Sequence, residues 1–204
     1  MLTERQVYIE AANLYYQTIG DVAPLNESQE DASLSDKVRQ MIASDRYWEI
    51  NNYKDFIGVI KRSKKPFYLS PYSEQELEDD DVTTFKLKGF DIGYGLKPVG
   101  DGKNVDIIGV HNNEPNVHGV VDSLIQSAIR HGGTQLDHYE GGLSRMYSRN
   151  GFKEYDRWKF NKKYAHDWSR KRDGKPDVVL RRLDRSYLNE GTATEFFNFL
   201  GRMK

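Results

Sequence analysis

Val105-Asp106-Ile107-Ile108-Gly109-Val110-His111, closed by Asn112-Asn113-Glu114-Pro115, opens the stretch whose reading decides the fold and which continues without a gap to Tyr155. Its first residues form a short apolar run rich in β-branched side chains, the pattern of a mostly buried strand. Further on, Val121, Leu124, Ile125, Ala128 and Ile129 recur at i, i+3, i+4, i+7 and i+8 and draw one stripe along a helix that Gly132-Gly133 stops. Thr134 to Tyr139 returns as a brief strand. Strand, helix and strand in that order make a βαβ unit with parallel strands, so the helix start at His118-Gly119-Val120 faces the carboxyl end of a strand. Free N–H groups and the positive end of the helix dipole make such a start a site for phosphate.

After the return strand come a short helix and Tyr147-Ser148-Arg149-Asn150-Gly151-Phe152, a Tyr-x-x-x-Gly-Phe signature. On these features, roughly residues 83 to 183 resemble the GNAT acetyltransferase superfamily, including acetyltransferase-like proteins of bacteriophage and bacterial genomes. The resemblance implies a mixed α/β fold, a GNAT-like sheet flanked by helices, with acetyl-coenzyme A (acetyl-CoA) as the cofactor. The family's pyrophosphate turn reads Arg or Gln, two residues, Gly, one residue, then Gly or Ala. The aligned stretch here is Asn116-Val117-His118-Gly119-Val120-Val121, in which only the central glycine matches. Main-chain donors carry the contacts expected there, and these survive side-chain changes that do not block the phosphates. The implied cofactor-binding residues are therefore Val110 and His111 at the strand end and Asn116, Val117, His118, Gly119, Val120 and Val121 in the turn. Val121 is the side chain most in the way.

By the same resemblance Tyr147 protonates the departing thiolate. The competing reading packs its ring with Leu143 and bonds its hydroxyl to backbone. Asp137 and His138 lie where parallel strands should splay, which makes them candidates for the base on the acceptor side; the alternative is that they cap strand ends. His111 and His118 lack close metal-ligand spacing, so no metal site is expected.

With 204 residues and 37% hydrophobic content, the chain can bury one good core. Thirty basic against thirty-one acidic residues leave a net charge of −1, which supplies no global field for nucleic acid or anionic membrane. The absence of cysteine removes disulfides, thiol nucleophiles and Cys-ligated metals from consideration. No signal-peptide pattern or membrane-length apolar run is present, so a cytoplasmic protein is expected, in the host cytoplasm if phage-encoded.

Three segments follow: residues 1–36 as an N-terminal helix and connector, 37–185 as the GNAT-like domain, and 186–204 as a tail. In the first, Val7, Ala11, Leu14, Tyr15 and Ile19 trace a docking helix, and Asp21 to Asp36 reads as a mobile connector. A short helix is expected from Lys37 to Ile42, while Phe56 to Ile60 suits either a buried strand or the end of a helix. The acidic run Glu74 to Asp81 reads as solvated surface. Thr83 to Lys88 and Phe90 to Leu96 alternate as meander strands, with Gly93 and Gly95 marking close packing or substrate access. Residues 153–175 mix basic and aromatic side chains, a pattern shared with single-strand nucleic-acid binders. The favoured reading is a strand from Lys153 to Phe160 whose aromatics alternate into the core. Asp177 to Leu180 gives a final strand, and Thr194 to Leu200 a short helix.

The function expected from all this is direct acyl transfer from acetyl-CoA to an amine of a small molecule or protein, with no membrane partner and nucleic acid disfavoured. The alternative from another class is a non-catalytic GNAT-like scaffold that binds a host or virion protein.

Overall fold

The computed structural model describes residues 27–63, 69–100, 103–161, 174–184 and 186. The expected helices at Val7–Ile19 and Thr194–Leu200 lie outside them. A seven-stranded mixed sheet runs through the described residues in the order β1-β2-β3-β4-β5-β7-β6. Its strands are β1 (Trp48–Ile50), β2 (Thr83–Leu87), β3 (Ile92–Val99), β4 (Asn104–Asn112), β5 (Gln135–Tyr139), β6 (Phe152–Trp158) and β7 (Val178–Leu183). The first four strands pair antiparallel, β4 pairs β5 in parallel, and β7 lies antiparallel between β5 and β6. The antiparallel meander running into a βαβ unit is therefore present.

Among the described residues five α-helices flank the sheet: α1 (Glu27–Ile42), α2 (Tyr53–Arg62), α3 (Glu74–Asp79), α4 (Val121–Arg130) and α5 (Gly142–Arg149). On one face Leu124, Ile125, Ala128 and Ile129 of α4 join Val38 and Ile42 of α1, Met146 and Tyr147 of α5, and Tyr94, Ile107 and Leu136 of the sheet in the larger core. On the other face Phe56 and Ile60 of α2 meet Leu77, Val82 and Ile108. None of the described helices is long and apolar enough to cross a membrane.

Two local readings are corrected, and one that allowed a strand or a helix is decided. α1 begins at Glu27, inside the stretch expected to be a connector, because Leu34, Val38, Met41 and Ile42 share one side and turn it onto α4. Phe56 to Ile60 is helical: Asn52 caps it by accepting from the Asp55 N–H at 2.8 Å, and Phe56, Val59 and Ile60 fall on one stripe. Beyond Phe152 the β6 aromatics do not enter the core. Tyr155 is 44% and Trp158 57% exposed, because β6 is an edge strand whose register shifts between Glu154 and Asp156 and breaks the alternation. Tyr155 instead lies under the Arg182 guanidinium, 4.2 Å from its ring centre.

Gly93 and Gly95 serve packing. A Cβ on Gly93 would sit 2.2 Å from the Phe85 carbonyl oxygen, and one on Gly95 would sit 2.9 Å from Ile108 Cγ1 and 3.2 Å from Phe56 Cζ. On β4 a Cβ on Gly109 would approach Phe56 Cζ to 2.5 Å. The Phe56 ring thus occupies the space that two sheet glycines leave. Phe56→Ala should empty it and cost about 3–5 kcal/mol, measured as a lower midpoint in urea denaturation with an unchanged m-value.

Candidate functional site

The geometry of the site starts where β4 and β5 part. Their parallel ladder holds a single residue pair, Asp106 with Gln135, secured by the Thr134 N–H donating to the Val105 carbonyl at 2.9 Å and the Val105 N–H to Thr134 Oγ1 at 2.8 Å. Beyond that pair the strands diverge. β4 also carries a bulge: Gly93 faces His111 and Gly95 faces Ile108, so Gly109 and Val110 together oppose Tyr94, with Gly109 at φ +57°. The bulge takes the backbone of Gly109 and Val110 out of regular pairing beside the opening.

The turn between β4 and α4 closes one end of the opening. Val110, His111, Val117, His118, Gly119, Val120 and Val121 line one pocket of about 230 Å³ with Asn112 and Leu124. Of the residues implied for the cofactor, Asn116 stands outside that lining. Asn112 braces the turn, its Nδ2 donating to the Val117 carbonyl at 2.9 Å while its Oδ1 accepts from the Glu114 N–H at 3.1 Å. Gly119 holds φ +63°, a conformation only glycine adopts without strain. α4 starts at Val121 with no side-chain cap, and the N–H groups of Val121, Asp122 and Ser123 find no acceptor among the described residues. Those donors and the helix dipole suit an anion.

One expected donor is already committed. The His118 N–H donates to Ser35 Oγ at 2.9 Å, and Arg39 Nη1 donates to the carbonyls of His118 at 3.2 Å and Gly119 at 3.5 Å. Both partners come from α1, a contact across some eighty residues that no local pattern announces. The donors open to a phosphate therefore begin after His118. Val121 is only partly buried and leaves the helix start accessible.

The signature residues tie α5 to this helix start. Arg149 Nε donates to Asp122 Oδ1 at 2.7 Å, and Asn150 Nδ2 donates to the same oxygen at 2.6 Å. Gln126 Nε2 donates to Asn150 Oδ1 at 2.9 Å. Arg149 and Asn150 hold the Asp122 carboxyl below its ordinary range, chiefly through the Arg149 bond. Gly151 turns the chain at φ +86°, and Phe152 is 1% exposed.

Tyr147 is 8% exposed, with its ring centre 5.0 Å from that of His138 and 6.3 Å from that of Phe152. Leu143, by contrast, is 41% exposed. Among the described residues the Tyr147 hydroxyl takes no hydrogen bond, so the alternative of a hydroxyl bonded to backbone does not describe it. Burial first, and then the charge of Asp137, pushes the phenol up to about 12. It therefore keeps its proton through the neutral range.

The two candidates for the base differ. His138 Nδ1–H donates to the Tyr139 carbonyl at 2.7 Å, and Nε2 accepts from Arg181 Nε at 2.9 Å. Burial lowers its pKa, so the ring is neutral with both nitrogens engaged. It acts as a strand-end polar group that seats the buried Arg181, which also donates to Ser148 Oγ at 3.0 Å and to the Phe152 carbonyl at 3.1 Å. Asp137 points the opposite way, since Leu136 and His138 face the larger core and strand side chains alternate. Asp137 is exposed on that face. Burial, followed by the nearby Asp106 charge, raises its pKa, offset in part by its own main-chain N–H.

No family model matches the chain, and no curated protein matches it. Among solved structures it is similar to N-acetylglutamate synthase from Neisseria gonorrhoeae complexed with coenzyme A and N-acetyl-glutamate, at 14% identity and a TM-score of 0.43. That alignment covers 70% of this chain and 36% of the other. The same enzyme complexed with coenzyme A and L-arginine aligns at 17% identity and a TM-score of 0.38, over 68% of this chain and 34% of that one. The chain thus spans about a third of the length of these proteins.

A carboxyl with a raised pKa binds its proton more tightly in the native state than in the unfolded chain, so the ionised form lowers stability. That loss is fully present above the raised native value and disappears as pH falls to the ordinary 3.8. Asp137→Asn should accordingly raise the melting temperature at about pH 8 and lose that advantage near about pH 4, as read by calorimetric scans across pH.

Proposed function

We propose that this protein is a GNAT-like acyltransferase that moves an acyl group from acetyl-CoA to an amine by direct attack. The observation that supports the reading is the parting of β4 and β5 after a single residue pair, beside the pocket lined by Val110, His111 and residues 117–121, with Asp137 two residues beyond that pair on β5. The residues present suit the cofactor: an uncapped helix start with free N–H groups, a glycine at positive φ, and no acidic side chain lining the pocket.

Acetyl-CoA supplies an acyl group already activated as a thioester. The donors at the start of α4 hold its phosphates, which fixes the thioester relative to the opening and gives the orientation on which direct transfer depends. The bulged backbone at Gly109 and Val110 offers main-chain N–H groups to a carbonyl oxygen as negative charge builds on it. Asp137 takes the proton that the amine nitrogen loses as its bond to the acyl carbon forms. A carboxylate with a raised pKa is a better base for that step than an ordinary one. As the carbon–sulfur bond breaks, its electron pair stays on sulfur, and Tyr147 donates the proton that neutralises it. Solvent returns a proton to Tyr147 and removes the one held by Asp137, and no covalent enzyme intermediate is required.

Calorimetry with acetyl-CoA tests the cofactor directly. Saturable heat and a rise in melting temperature support the reading; neither at roughly millimolar ligand would favour the non-catalytic scaffold that binds a protein partner. Tyr147→Phe keeps the ring and deletes only the hydroxyl. Turnover should fall about 100-fold or more with coenzyme A affinity and melting temperature little changed. A variant that stays within a few-fold of the parent assigns Tyr147 to the core.

A further inference from the structure

On the α2 face of the sheet, a second and smaller cavity of about 80 Å³ lies between α2 and the segment that leads into α3. Ile57, Ile60 and Lys61 line it from the helix, and Leu69, Pro71 and Tyr72 from the segment. Ile60 is 4% exposed and belongs to the core beneath, while Ile57, Leu69 and Tyr72 pack on that core half-buried. Ile60 also borders the β4 bulge, since a Cβ on Gly109 would lie 3.1 Å from Ile60 Cδ1. One side chain thus lines the cavity and backs the strand edge at which acyl transfer is placed. On the other wall, Tyr72 lies within the field of Asp106 and Asp137, the residues at and just beyond the point where β4 and β5 part.

Size and charge together narrow what can enter. An apolar cavity of about 150 Å³ takes a benzene ring, so one of about 80 Å³ takes three or four branched carbons and excludes an aromatic side chain. Lys61 is the one charged residue in the lining. It is exposed and forms no ion pair among the described residues, whereas its neighbour Arg62 pairs with Asp91 at 3.6 Å. The acidic run that follows is engaged elsewhere: Glu76 accepts from the Ser73 N–H at 2.8 Å, and Asp80 is paired with Lys97 at 2.6 Å. A lysine stem lies readily along an apolar wall with its ammonium in water at the mouth. The complement of this site is a short branched hydrocarbon group that carries a carboxylate.

We infer that this cavity binds a small aliphatic amino acid, of the size of valine or leucine, and that this amino acid is the acyl acceptor. Its branched side chain fills the space between α2 and residues 69–72, and its carboxylate meets the Lys61 ammonium. The amine, on the carbon that bears both groups, is the part of the molecule left for the thioester. Glutamate would put a second carboxylate into an apolar space, which costs its hydration. A phenyl ring is too large, and a plain alkylamine leaves Lys61 without a partner. The inference rests on the acyl-transfer reading for the role of the amine, and on the cavity alone for the size and charge of what binds.

Calorimetric titration of the full chain, with and without coenzyme A, compares L-leucine with L-alanine, L-phenylalanine and 3-methylbutylamine, which is leucine without its carboxylate. Leucine should bind roughly tenfold or more tighter than alanine and roughly fivefold tighter than the amine, with phenylalanine weaker than leucine. Lys61→Met should bring leucine down to the level of 3-methylbutylamine, and Ile57→Phe, which fills the cavity, should bring it down to the level of alanine. Melting temperatures show that both variants fold, and the order of the four ligands on the parent protein decides the matter if either does not. Leucine that fails to bind in both conditions, or binds no tighter than alanine or the amine, overturns the inference. Turnover with acetyl-CoA separates the two parts: leucine bound in the expected order but never acetylated upholds the cavity as a binding site and overturns its role as the acceptor site. Acetylation that favours phenylalanine or 3-methylbutylamine over leucine overturns the inference as well.

Discussion

A parallel ladder one residue pair long is the constraint on which the rest of this structure depends. Parallel strands normally continue side by side, each covering the other's polar backbone. Here β4 and β5 are held together at Asp106 and Gln135 and then separate. Two features of the chain enforce the separation. The extra residue at Gly109 and Val110 bends β4, and the Phe56 ring packs where a side chain on Gly109 would have to go. At the other end Gly133 lets Ile107 sit so close that a Cβ would fall 2.4 Å from Ile107 Cγ1, which pins the strands where they do meet. The opening is thus built from glycine and packing, and the start of α4 lies beside it.

The surroundings of the opening are fixed from both sides. α1 grips the turn through Ser35 and Arg39, and Arg130 of α4 donates back to the Ile42 carbonyl at 3.0 Å at the end of α1. α5 grips the same helix through Arg149, Asn150 and Asp122. A phosphate site made of main-chain donors depends on such bracing, because the donors must be held in place before the ligand arrives. An arginine from elsewhere in the chain, Arg39, lies against the turn, bonded to its carbonyls and paired with Asp36.

Much of this was legible in the sequence where local pattern and tertiary role agree. The stripe from Val121 to Ile129 gave α4, the β-branched run gave β4, and together they fixed the parallel step on which the site is built. The turn residues could be named because a helix start after a strand has defined free donors whatever its side chains are. What could not be read depends on distance along the chain. Ser35 falls in the stretch read as a connector and Arg39 in a short expected helix, and nothing local shows that Val38 and Ile42 are fully buried. Asp106 reads as an interruption in an apolar strand, and nothing local pairs it with Asp137. His138 and Asp137 are adjacent and look equivalent, yet opposite faces of β5 give one to Arg181 and the other to the opening. Tyr155 and Trp158 of β6 were misread because alternation assumes an interior strand, and only the sheet order reveals an edge.

The account's central claim is that the start of α4 receives the phosphates of coenzyme A beside the parted strands, and backbone amide resonances followed by NMR during a coenzyme A titration test it most directly. The account predicts that the largest shifts fall on Gly119 to Ser123 and on Val110, with the His118 amide, already bonded to Ser35, moving less. Shifts that leave residues 119–123 unmoved, or that centre on the exposed face of β6, would contradict it.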